Sequence, residues 1–77
     1  MFLDEYTKFC IPGYGSRIRK IRSAYGLSQS EFARLLGTTR CTESLWEVEY
    51  QDHHPKRETY YKLMKLAADK GVIFNDT

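Results

Sequence analysis

The chain has 77 residues, 42% of them hydrophobic and 14% aromatic, and its 12 Lys and Arg against 10 Asp and Glu give a net charge of +2. That composition argues against a disordered chain and fits one small domain, near the lower limit at which an unaided core suffices. No apolar run approaches the roughly 20 residues of a bilayer-spanning helix, and the sequence opens without a secretory signal pattern, so a single cytoplasmic all-α domain is expected.

Residues 1–14 place Phe2, Leu3, Tyr6 and Phe9 at helical spacing before Pro12, Gly13 and Gly15 interrupt it. They predict an N-terminal arm or short extra helix, packed on the body or on a second subunit. The helical core is expected over 15–70 and a tail over 71–77. Ser16 is positioned to cap the next helix, in which Ile18, Ile21 and Tyr25 share a face and Arg17, Arg19, Lys20 and Arg22 occupy the rest. Gly26 ends it, and Leu27 fills the corner that follows. From Gly15 to Arg40, Arg34 and Arg40 join those four cations against the single acid Glu31, whereas Glu43, Glu47, Glu49 and Asp52 come later. A basic, phosphate-facing end and an acidic end are therefore expected, against the simpler reading of a solvated helix face.

The segment GLSQSEFARLLG, from Gly26 to Gly37, specifies a short helix at both ends. Ser28 and Glu31 form a capping box. Phe32, Ala33, Leu35 and Leu36 supply an apolar stripe, and Gly37 provides a left-handed stop. A helix this short needs neighbours to be stable. A third helix is predicted from Thr38 or Thr39 to about Tyr50, anchored by Trp46. Gln51, Asp52, His53, His54 and Pro55 connect it to a fourth, whose Tyr60, Leu63, Met64 and Ala67 recur at helical spacing. After Gly71, Val72, Ile73 and Phe74 are expected to cover the body or meet a partner chain. Cys10 and Cys41 match no metal or redox spacing, and two adjacent histidines are too few ligands for zinc, so free thiols, no metal and no cofactor are expected.

The order basic helix, capped short helix, polar helix start resembles the Xre/Cro family of helix-turn-helix proteins over roughly residues 15–67. The matching positions are Gly26, Leu27, Ser28, Gln29, Glu31, Phe32, Ala33, Leu36 and Gly37. The resemblance implies a compact four- to five-helix, lambda-repressor-like bundle whose third helix enters the DNA major groove. Thr39, Arg40, Cys41, Thr42 and Ser44 would then face base edges, and Arg40 is the best suited because its guanidinium can make two parallel bonds to guanine. Ser28 and Gln29, at a helix start, with Arg34, Lys56 and Arg57 would contact phosphates. Arg22 and Glu47 would tie the first core helix to the third.

The same resemblance implies a homodimeric repressor on an inverted-repeat operator, as in phage or mobile elements. An antitoxin-like module would instead use Phe2, Leu3, Tyr6 and Phe9, or Val72 to Phe74, to bind a partner protein. No catalytic constellation is present at usable spacing, so an enzyme is not expected.

Glu43 departs from the pattern, standing where the family has an aliphatic residue in mid-helix. Either Glu43 is paired, or the helix is rotated, or an insertion gives Leu45, Val48 and Glu49 the roles of Glu43, Trp46 and Glu47. The Trp46-Glu47 ending favours the first register, while the spacing from Glu49 to Pro55 favours the insertion. The usual glycine after this helix is missing in both, which predicts an altered connection. His53 and His54 fall where the family often has phosphate-contacting basic residues, or else they form a solvated loop.

Overall fold

Asp4 opens the first helix by accepting a hydrogen bond from the Thr7 amide at 2.8 Å. In the computed structural model, which describes residues 4–73, this helix, α1 (Glu5–Phe9), is short and packed on the body. Phe9 enters the core. The Tyr6 hydroxyl donates to the Pro55 carbonyl at 2.7 Å. Arg57 lies 4.6 Å over the Tyr6 ring and bonds Asp4 at 3.1 Å, so α1 is held to the start of the last helix. Phe2 and Leu3 lie outside the described residues. Tyr6 and Phe9 do not form the free hydrophobic surface considered for a protein partner, because the core has taken them.

Helix α2 (Tyr14–Ala24) starts two residues before the expected Ser16 cap, with Gly13 at the N-cap in a left-handed conformation (φ +107°) and Ser16 exposed. The cap comes from a distant residue. Glu49 accepts from the Gly13 amide at 3.0 Å and the Gly15 amide at 3.2 Å, so a carboxylate occupies the positive end of the helix. Helix α3 (Gln29–Leu36) has both halves of the predicted capping box, and Gly37 stops it at φ +76°. The Thr38 amide then bonds the Ala33 carbonyl at 2.9 Å, closing the turn.

Helix α4 (Arg40–Glu47) has Thr39 as its N-cap and ends before the expected Tyr50. The chain turns instead through Glu49 at φ +54° into a 3₁₀ turn, Tyr50–Asp52, where Gln51 and Asp52 also have positive φ. Side chains there cost about 1–2 kcal/mol per residue. Glu49 stands where the glycine was missed, and its two bonds to α2 offset the strain. Helix α5 (Arg57–Asp69) follows Pro55 and buries Tyr60, Leu63 and Ala67 of the predicted stripe, with Met64 half-buried against the core.

These five α-helices, with no strand among the described residues, form an all-α bundle. Tyr14, Ile18, Ile21, Phe32 and Leu63 are fully buried at its centre, with Leu36, Trp46 and Tyr60 around them. Helix α3 packs chiefly on α4, and α2 packs on α4 and α5. The Tyr25 hydroxyl reaches the Leu66 carbonyl at 2.7 Å to tie α2 to α5. Val72 covers the core, while Phe74 lies outside the described residues. No described helix is long and apolar enough to cross a membrane.

Candidate nucleic-acid interface

The inner side of α4 fixes how its outer side is presented. Glu47, with a side chain 1% exposed, receives Arg22 Nε at 2.7 Å, Arg22 Nη2 at 3.1 Å, Arg19 Nε at 3.3 Å and Gln29 Nε2 at 3.4 Å. One carboxylate thus gathers donors from α2 and α3. Burial alone would raise its pKa, but these donors hold it down at about 2. Arg22 also donates from Nη1 to the Leu27 carbonyl at 2.9 Å, bracing the corner before α3. Glu47 is therefore the partner of Arg22, and Glu49 is engaged elsewhere.

Glu43 sits one turn earlier on the same inner side, fully buried, with neither carboxyl oxygen in hydrogen-bond geometry with a partner. Burial and then the neighbouring Glu47 carboxylate push its pKa from 4.5 up to about 8. The two acids share one charge. Arg22, Arg19 and Gln29 bond Glu47, so the charge resides on Glu47 and the proton on Glu43.

Folding therefore favours protonated Glu43. Its contribution is complete below about pH 4.5 and is lost as pH rises toward 8. For Glu47 the sign is opposite: its contribution is present above 4.5 and is lost as pH falls toward 2. Glu43→Leu, which keeps the volume and removes the buried acid, is expected to raise the melting temperature at pH 8 and flatten its decline between pH 5 and 8. An unchanged decline would place the titrating group elsewhere.

With both of its acids turned inward, the outer side of α4 carries no carboxylate. Arg40 and Cys41 are exposed and Ser44 is half-buried one turn on. Thr39 and Thr42 are engaged in the cap: Thr39 Oγ1 accepts from the Thr42 amide at 3.2 Å and lies 3.0 Å from Thr42 Oγ1. Ser28 Oγ is likewise committed to the Glu31 amide at 3.1 Å, and Gln29 is half-buried and directed at Glu47. Arg34 and Lys56 are exposed, whereas Arg57 is held by Asp4 and Tyr6.

The expected basic face of α2 is mostly not a free surface. Arg17 is only 8% exposed and donates from Nη1 to the Phe9 carbonyl at 2.9 Å and the Ile11 carbonyl at 3.3 Å, fastening the α1–α2 turn. Arg22 is inside the ion cluster, Arg19 is bonded at its edge, and Lys20 donates to the Ile73 carbonyl. The residue that sequence reasoning missed is Glu49. Its one available signal was an acid in place of the absent glycine. The structure thus brings Arg40, Cys41 and Ser44 together on one accessible helix face and draws Ser28, Gln29 and Arg57 into internal contacts. Comparison of the chain with family models, curated proteins and solved structures finds no match.

Proposed function

We propose that the chain is a sequence-specific DNA-binding regulator, acting as a homodimer on an inverted-repeat operator, with the outer side of α4 in the major groove. One observation carries the reading: the first turn of α4, with Arg40 and Cys41, is exposed and carboxylate-free while its inner side is locked to α2 and α3. A helix end held this firmly can present side chains to base edges without losing order on binding. Arg40 reads a guanine through O6 and N7. The first amides of α3, left open by the capping box, take a backbone phosphate and set the register. Exposed Arg34 and Lys56 add to the phosphate contacts. Occupying promoter DNA represses without an enzymatic step.

Two half-sites are required, because one short helix offers few base contacts. Arg40→Ala is expected to remove about 1–3 kcal/mol of discrimination at one position of each half-site. Binding of the unaltered chain is expected to weaken steeply with salt as condensed counterions are released. Competition binding with single-position operator variants, repeated across a salt series, measures both. Equal preference at every position before and after the substitution would reject this docking face.

A further inference from the structure

We infer that a cleft beside α4 binds a small phosphate monoester. The cleft encloses about 350 Å³, within the roughly 300–1,000 Å³ range of small-molecule sites. Its polar wall is drawn from three parts of the chain: Thr38 in the α3–α4 turn, Thr42 on α4, and His53, His54, Lys56 and Thr59 along the connection and the start of α5. No carboxylate belongs to this lining. The lysine supplies only donors, and hydroxyls and imidazoles can supply donors, so the wall suits a group with many acceptor oxygens and negative charge.

Convergence is what favours a phosphoryl group over a planar carboxylate. The three threonines that line the cleft come from three separate elements, so a tetrahedral group with acceptors in several directions suits the lining better than a flat one. The Thr42 hydroxyl accepts from Thr39 Oγ1 at 3.0 Å and keeps its own O–H to donate. The start of α5, which has no side-chain cap, borders the same space. Beneath it, Leu36 and the nearly buried Trp46 form an apolar floor, which inorganic phosphate would leave unused and the organic part of an ester would cover.

The cleft does not use Arg40, Cys41 or Ser44 and shares only Lys56 with the proposed DNA contacts, so a titration of the DNA-free chain tests it separately from that reading. If that reading holds, an ester bound beside Thr38 and Thr42 sets negative charge next to the amino end of α4 and weakens duplex binding.

The test is an amide-resonance titration of the DNA-free full chain with adenosine 5′-monophosphate, inorganic phosphate and adenosine. Saturable shifts confined to Thr38, Thr42, Lys56, Thr59 and their neighbours are expected with the monophosphate, weaker ones with phosphate and none with adenosine. Lys56→Ala is expected to weaken monophosphate binding about tenfold or more. Lys56 is exposed and makes no cap bond, so the melting temperature should be unchanged. Thr59→Val provides a second, uncharged change with the same direction. Non-saturating shifts, shifts spread over Lys62, Lys65 and Lys70, equal affinity for phosphate and the ester, or an unaltered affinity in Lys56→Ala would each overturn the assignment.

Discussion

Arg22→Met is expected to lower the folding free energy by about 3–5 kcal/mol, because it leaves the Glu47 carboxylate buried without its main partner. Arg19 and Gln29 cannot replace it. Arg19 makes one bond at 3.3 Å from a side chain that is 54% exposed, and Gln29 makes one at 3.4 Å without a charge. The Glu47 pKa, now held at about 2, rises toward the neutral range in the variant. The loss should therefore be greater at pH 8 than at pH 4. Denaturant titrations at the two pH values measure this directly.

The double variant Arg22→Met/Glu47→Leu should regain most of the lost stability. Removing both members of a buried pair also removes the desolvation penalty, whereas removing one leaves it unopposed. Near-additive losses in the double variant would mean that the two residues do not act as a pair. Neither change touches the outer side of α4, so any accompanying loss of DNA affinity reports the seating of the helix rather than a lost contact.

Gly15→Ala is expected to be comparably damaging, for a reason of space alone. A Cβ there would lie 2.3 Å from the Glu47 carbonyl oxygen and 2.8 Å from the Glu47 carbonyl carbon, both backbone atoms in the last turn of α4. Alanine normally gains about 0.5–1 kcal/mol over glycine inside a helix, but overpacking against backbone costs about 1–3 kcal/mol and sometimes more. The clash wins, because relieving it must push α2 away from α4 and stretch the Glu49 bonds to Gly13 and Gly15.

A clash this close with rigid backbone lies above the usual range, at about 4 kcal/mol, and after the helix gain leaves a net loss of about 3 kcal/mol, a fall of about 12–24 °C in melting temperature for a domain of this size. Gly26→Ala is the matched contrast. Gly26 has nothing within 4 Å but a φ of +64°, so it should lose only about 1–2 kcal/mol through backbone strain. A melting temperature for Gly15→Ala at or above that of Gly26→Ala would contradict the close α2–α4 crossing.

Legibility in the sequence followed the range of the interactions. The α3 boundaries were readable because Ser28, Glu31 and Gly37 act within their own helix, and the buried face of α5 was readable because its stripe repeats locally. The start of α2 and the end of α4 were not, since both are set by Glu49 reaching across the chain to Gly13 and Gly15. A serine at position 16 offers a cap, but a carboxylate already seated on the preceding amides makes it unnecessary.

The inward turn of Arg17 is illegible for a related reason. A run of cations reads the same whether it faces solvent or interior, and only the Phe9 and Ile11 carbonyls as partners reveal that Arg17 points inward, whereas Arg22 meets Glu47 as the resemblance implies. Glu43 is an anomaly at an apolar position. Its resolution needed Glu47 one turn away, which takes the charge and leaves Glu43 the proton. On the outer side of α4, Arg40 and Cys41 are exposed at the positions that the resemblance singles out, but the diversion of Thr39 and Thr42 into the cap depends on local hydrogen bonding.

Selection of bound duplexes from a random pool by the 77-residue chain at moderate salt tests the central claim most directly. The account predicts enrichment of one inverted repeat with half-sites about one helical turn apart, roughly 10 base pairs centre to centre, with a guanine whose preference disappears in Arg40→Ala. Recovery of a pool statistically identical to the starting mixture, from protein that melts cooperatively, would contradict it.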